Sequence, residues 1–305
     1  MMKAFYNDIF VLPLPDGHRF PMSKYRLLRE HLIRENILPE ANFIIPDAAT
    51  DEEILRCHSA EYLEKVKNGT LSRKEILRIG FPWSMELVER SRRSSGATIC
   101  AARTAVDEGV AVNLAGGTHH AGVDFGAGYS VFCDSGIAAR AMQVEGLAEK
   151  IAVIDCDVHQ GNGTANVTRD DPTIFTFSIH GERNFPFRKI DSDLDIGLAD
   201  NTGDEDYLET LEIAVERVLY HFQPDLVIYQ SGADPFIGDK LGKLALTKEG
   251  LARRDRLVLE MCRSEGLPVA VTMGGGYAEN VEDIVDIHAQ TVRIASEFVQ
   301  DQGAT

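Results

Sequence analysis

Five short runs dominated by Val, Ile and Ala alternate with longer segments of helical period. They are "AVNLA" (111–115), "IAVIDCD" (151–157), "IFTFSI" (174–179), "LVIYQSG" (226–232) and "PVAVTMG" (268–274). A strand with one wet face alternates apolar and polar residues. These runs are apolar almost throughout, as strands covered on both faces of a parallel sheet must be. Helices are expected between them, at about 84–108, 134–148, 204–222, 248–265 and 278–299, with Thr247 capping the fourth. The alternation predicts an α/β fold: a single-domain open, mostly parallel β-sheet with helices on both faces and right-handed crossovers. No Pro/Ser/Gly-rich linker or charge block divides the chain, so one domain is expected over 1–305, and 44% hydrophobic residues suffice for its core.

In such sheets ligands bind outside the carboxyl ends of the strands. Four of the runs end in reactive side chains or glycines. His119 and His120 follow the first, "DCDVHQGNG" continues the second, "GAD" follows the fourth and "GGGY" the fifth. Core packing does not explain four such ends on one rim.

Asp155, Asp157 and His159 are spaced by two. If the strand continues through them, all three point to one face. A carboxylate and an imidazole make half a zinc site, and Asp234, an acid after a buried strand, is the best third ligand. The plainer alternative is that Asp155 or Asp234 caps the next turn. Two Asp and one His would leave a coordination position open, the mark of a catalytic zinc. One metal is favoured over two, because Gly161 stands where a further acid on that face could have been.

Water at such a site needs a base, and a leaving group needs an acid. His119 and His120 are assigned to that work rather than to the metal, with Asp155 and Asn162 as their orienting partners. Tyr277, after three glycines, is placed to donate its O–H to a developing oxyanion. His31, His221 and His288 are left to packing or surface roles. GGG lacks a following GK[ST], so no P-loop is present, and no dinucleotide fingerprint follows the first strand. "DSDLDIG" (191–197) fails the calcium-hand pattern at Ile196 and Thr202, and the acid-rich stretch 191–209 is read as a solvated loop and helix start.

The net charge of −17 argues against nucleic acid and anionic membranes as partners and is compatible with cationic ones, such as lysine-rich tails or amines. Five cysteines without a CxxC pair make a disulfide framework or a Cys-rich zinc site unexpected. "MMKAFYNDIF" lacks a signal-peptide core, no 18-residue apolar run occurs, and a cytoplasmic location is expected. Oligomeric state is not legible.

Taken together, "GGTHHA", "DCDVHQGNGT", "GAD" and "GGGY" resemble the motifs of the histone deacetylase superfamily, zinc-dependent acyl-amide hydrolases of arginase-like α/β fold. The similarity runs from "GHRFPMSKYRLL" (17–28) to the final helix. "HRFPMSKY", "VHQGNG" and "GDKLGKLALT" (238–247) look most like the class IV branch and its bacterial relatives. The resemblance implies one Zn2+ held by Asp157, His159 and Asp234. It implies His120 as main general base and acid, His119 as assisting histidine and Tyr277 as the carbonyl-binding phenol. It also implies a K+ or Na+ site formed by backbone carbonyls of Asp155, Asp157 and His159 with Ser178. Gly128, Tyr129 and Phe185 would line an acyl-lysine tunnel, with Leu241 at its mouth. The implied substrates are acylated lysine in a peptide or protein, or a small acylated amine. The competing readings are a non-catalytic acyl-group binding protein on the same scaffold and a two-manganese ureohydrolase. Gln160 and Asn162 stand where many members have His and Asp, and Tyr129 where Phe is usual.

Overall fold

The computed structural model describes residues 2–299. The expected unit, 1–305, reaches beyond them at both ends. Eight strands form one sheet: β1 (Ala4–Phe5), β2 (Phe43–Ile44), β3 (Val110–Asn113), β4 (Ile151–Asp155), β5 (Ile174–Gly181), β6 (Leu194–Leu198), β7 (Leu226–Ser231) and β8 (Val269–Met273). Their order is β2-β1-β3-β8-β7-β4-β5-β6, and every neighbouring pair is parallel. Strands β3, β4, β7 and β8 are buried at every position, as their unbroken apolar sequence requires.

Among the described residues ten α-helices complete the fold: α1 (Lys24–Arg34), α2 (Asp51–Leu55), α3 (Ala60–Asn68), α4 (Arg73–Ile79), α5 (Met85–Glu108), α6 (Asp134–Val144), α7 (Asn162–Val167), α8 (Asp204–Phe222), α9 (Lys248–Ser264) and α10 (Val281–Ser296). Helices α8, α9, α10 and α1 pack in succession over one face of the sheet. On the other face α5 lies against β1, β3 and β8 and carries α6 beside it. Thr247 caps α9 by accepting from the Gly250 amide. Among the described residues no helix is long and apolar enough to cross a membrane.

The acidic stretch 191–209 holds the expected helix start, with α8 beginning at Asp204, but its first part is not all loop. Residues 194–198 form the edge strand β6, paired with β5, and their half-buried and exposed residues alternate as one wet face demands. The four buried strands supply the positional result: β3, β8, β7 and β4 are consecutive in the sheet, so their carboxyl-end motifs are neighbours.

Candidate active site

Strand β4 ends at Asp155. Asp157 and His159 therefore do not share a face by strand alternation; a loop brings them together. Asp155 turns that loop by accepting the Asp157 amide on Oδ1 at 3.0 Å, and Asp157 Oδ1 accepts the His159 amide at 2.9 Å. Each acid thus caps the backbone two residues on, as Asp does in tight turns. The capping alternative thus describes Asp155, whereas Asp234 accepts the distant Val158 amide and not an amide of its own turn.

Asp157, His159 and Asp234 converge, their ligating atoms all within 4.8 Å of one another, and all three residues are buried. His159 Nδ1 lies 3.0 Å from Asp157 Oδ1 and 3.1 Å from Asp234 Oδ2. The remaining oxygens are held from behind: Asp157 Oδ2 accepts the Gly275 amide at 2.6 Å and Asp234 Oδ1 the Val158 amide at 2.9 Å. The close approach needs glycine, because a Cβ on Gly275 would stand 1.8 Å from Asp234 Oδ2.

The donor set fits zinc. Two carboxylates and one imidazole are usual zinc ligands, and donors at ~2.0–2.1 Å from a tetrahedral ion lie about 3.3 Å apart, close to the spacings found here. The electrostatics point the same way. Burial opposes charge on His159, but hydrogen bonds to Asp157 and Asp234 outweigh it and push the imidazole up to about 10. Burial and then the Asp157 charge push Asp234 up to about 7. The three residues hold a proton where their charges converge, and a divalent cation competes for that point.

The histidine pair sits beside this cluster, with ring centroids 4.0 Å apart. Its turn leaves β3 through Gly117, which has a φ of +66° and whose Cβ would meet the Gly274 Cα at 2.8 Å. His119 Nδ1–H donates to Asp155 Oδ2 at 2.6 Å, and His120 Nδ1–H donates to Asn162 Oδ1 at 2.7 Å. The two partners differ in charge, and the rings differ accordingly. Burial works against protonation of His119, yet the Asp155 and Asp157 carboxylates lift it to about 9. Burial, followed by the charges of His119 and His159, holds His120 well below its ordinary value. The Nε2 of His120 is left as the basic atom of the pair.

Tyr277 is half-buried over the same space, its ring 6.2 Å from that of His159. Burial and then the Asp234 and Asp157 charges hold its phenol well above the ordinary value, so it remains a donor. Its backbone amide donates to Asp239 Oδ2 at 2.6 Å, while Asp239 Oδ1 accepts the amides of Leu241 and Gly242, both at 2.8 Å. One carboxylate thus ties the tyrosine to the mouth loop.

His120, His159 and Tyr277 open into one cavity of about 390 Å³, walled by Gly128, Tyr129, Phe185 and Leu241 among others. Phe185 stands edge-on to His120, centroids 4.8 Å apart. Tyr129 adopts a left-handed φ of 65°, uncommon for a bulky residue, and its amide donates to the Ile79 carbonyl at 2.7 Å. Ser178 lies directly beside Asp155 in the β4–β5 register, and its Oγ accepts the Gly161 amide at 3.4 Å. His31 is half-buried, His221 exposed, and His288 buried in α10.

Several residues around the site escape the sequence reading. Gln230, beside Asp155 in the β4–β7 register, places its amide 2.9 Å from His119 Nδ1. Lys24 is buried, with its ammonium 5.8 Å from the Tyr277 ring and 3.3 Å from the Gly274 carbonyl. Asp239 carried a local signal, an acid just before the mouth Leu241, but nothing in sequence links it to Tyr277.

Residues 18–292 match the histone deacetylase domain family. An uncharacterized protein of Picosynechococcus sp. is 46% identical over 95% of this chain and 97% of its own length. Histone deacetylase 2 of Arabidopsis thaliana is 30% identical over 91% of this chain and 74% of its own. The acetoin utilization protein AcuC of Staphylococcus aureus is 28% identical, over 86% and 72%. In structure, the crystallised HDA15 HD domain covers 97% of this chain and 91% of its own with a TM-score of 0.82 at 20% identity, a likeness of fold.

Proposed function

The chain belongs to the histone deacetylase family, and from that premise we propose that it is a zinc-dependent hydrolase that cleaves a linear acyl amide, an acylated lysine or a related acylated amine, to a carboxylate and a free amine. Asp157, His159 and Asp234 would hold one zinc ion. Bound there, it would polarise the amide carbonyl and acidify a water molecule. The observation that carries the reading is that four strand-end motifs deliver a buried acid-rich cluster, a neutral-leaning His120 and an un-ionised Tyr277 to one cavity.

His120 Nε2 takes the proton of the attacking water, since its Nδ1–H is committed to Asn162. His119, paired with Asp155, keeps positive charge beside it and assists electrostatically. Tyr277 donates its O–H to the carbonyl oxygen as negative charge develops there. The proton held on His120 then passes to the leaving nitrogen as the C–N bond breaks. Gly128, Tyr129 and Phe185 would line the tunnel for the acyl-lysine side chain, with Leu241 at its mouth. The carbonyls of Asp155, Asp157 and His159, with Ser178, would hold a K+ or Na+.

The work belongs to one domain, and cytoplasmic location and kinship with the class IV branch remain part of the proposal. The alternatives lack support from the site. An acyl-binding protein has no need of His120 and Tyr277, and a two-manganese ureohydrolase needs carboxylates that bridge a second ion.

The test is hydrolysis of an acetyl-lysine peptide by protein stripped with a chelator and then given zinc. Activity should vanish on stripping and return with one equivalent of zinc per chain. Persistent activity in the stripped protein, or two equivalents of metal at full activity, would overturn the assignment.

A further inference from the structure

The chain carries 48 acidic against 31 basic residues, yet the mouth of its cavity is basic. Arg78, Arg183 and Lys243 line it, and among the described residues no Asp or Glu does. Arg183 shares its charge with Asp200 at 2.5 Å. Lys243 donates to the Arg183 carbonyl at 3.2 Å and, among the described residues, forms no ion pair with a carboxylate. The Arg78 guanidinium lies 3.8 Å over the Phe125 ring and likewise has no such partner among the described residues. Behind the Phe185 wall, Lys189 spends its ammonium on two backbone carbonyls, Asn184 at 2.7 Å and Pro186 at 2.9 Å. Burial lowers that ammonium from its ordinary value.

Net charge and local charge point opposite ways, and distance decides between them. Exposed charges more than about 8 Å away are largely screened at physiological salt. A substrate arriving at the mouth is governed by the groups that line it. The apolar walls of Tyr129, Phe185 and Leu241 concentrate that field further.

Resting on the hydrolase reading above, we infer that this site selects acyl amides whose amine side carries negative charge just beyond the scissile bond. Two sources share that chemistry: an acyl-lysine flanked by Asp or Glu, and a small acylated amine bearing a carboxylate. The inference reverses the cationic partner expected from the total charge.

The zinc-loaded protein is assayed on acetyl-lysine peptides of one length with acidic, neutral or basic flanks. A pair of small N-acetylated amines, ending in a carboxylate or in its amide, is assayed alongside. The acidic-flank peptide should exceed the basic one in kcat/KM by roughly tenfold at low salt, and about half a molar NaCl should bring the ratio toward one. Replacing Lys243→Gln together with Arg78→Gln should shrink the low-salt ratio by about threefold or more. A charge preference confined to the small pair upholds the inference and names the small molecule as its source. A basic-flank preference, or equal rates on all charge types at low salt, overturns the inference alone. Failure to hydrolyse any acyl amide sinks the hydrolase reading and this inference with it.

Discussion

Two fully buried polar clusters lie back to back at the carboxyl end of the sheet, and they are built on opposite principles. In the first, Arg254 donates to Asp255, to the Ser231 hydroxyl at 2.7 Å and to the carbonyls of Gly232 at 2.6 Å and Cys156 at 3.3 Å. Asp255 in turn accepts from Tyr229, Ser231 and Thr291. Charge sums to zero and the ion pair is closed by hydrogen bonds on both sides. In the second, Asp155, Asp157 and Asp234 accept backbone amides, but their charge is answered by imidazoles, which must take up protons to do so. A compensated cluster is part of the scaffold. An uncompensated one has work left for a cation. Arg254 joins the two, because Cys156 precedes Asp157, a proposed zinc ligand, and Gly232 precedes the Ala233–Asp234 pair.

The sharpest way to break that distinction is to remove a ligand carboxylate. Asp157→Ala should lose zinc, measured by metal analysis of the purified protein, and lower turnover on an acyl-lysine substrate by more than about a thousandfold, the several kcal/mol that a Lewis acid supplies. Its unfolding midpoint without metal should change little beside its loss of activity. An Asp157→Ala protein that keeps zinc and turnover would place the cation elsewhere.

The compensated cluster should respond in the other currency. Arg254→Met strands the buried Asp255 carboxylate and should cost about 3–5 kcal/mol of stability in urea unfolding. Adding Asp255→Leu should cost less than the sum of the two single changes, because the pair is coupled. A single variant of unchanged stability would show that Arg254 and Asp255 are not a mutual necessity, and the contrast with the ligand cluster would fail.

Tyr277 tests whether the uncompensated cluster is aimed at a substrate. Tyr277→Phe removes only the phenolic O–H and should lower kcat by about 10²–10³ with zinc content intact. The backbone amide that Asp239 holds is untouched by the change, so the mouth loop stays in place. Equal kcat in the variant would leave the oxyanion without this donor.

Much of this contrast was legible in sequence, for a physical reason. Strands β3, β4, β7 and β8 are buried on both faces, so apolar runs announce them, and the glycine-bracketed acids and histidines stand out at their ends. What hides is whatever depends on pairing across the sheet or on one wet face. Strand β6 is half exposed and acidic, and β1 and β2 have two residues each. Helices α2 and α4 did carry a signal, the Thr50–Glu53 and Ser72–Glu75 capping boxes. The extension of β4 to Asp157 fails because Asp155 folds its own carboxylate onto the Asp157 amide, and periodicity is blind to that bond. Gln230, Asp239 and Arg254 escape notice because their partners lie far along the chain. The tunnel residues were visible only through family resemblance.

A third buried group sharpens the comparison from the side of the scaffold. His58 donates from Nδ1 to the Gly122 carbonyl at 2.8 Å, and its Nε2 accepts the Cys133 amide at 2.9 Å. The ring is satisfied only while neutral. Burial, against the weaker pull of the Gly122 and Val123 carbonyls, lowers it from 6.5 to about 4. The unfolded chain therefore binds a proton that the folded one refuses between those values. Stability from this group is full above pH 6.5 and is lost as pH falls toward 4. With ~1.4 kcal/mol per tenfold in proton affinity, the loss between pH 7 and pH 5 comes to about 2 kcal/mol. Urea unfolding of the wild type and of His58→Gln at the two pH values isolates it: the variant starts less stable but should fall less steeply. Parallel pH dependence in the two proteins would mean that His58 takes up its proton in the folded state, and that its neutrality is not what holds the Gly122 and Cys133 turns together.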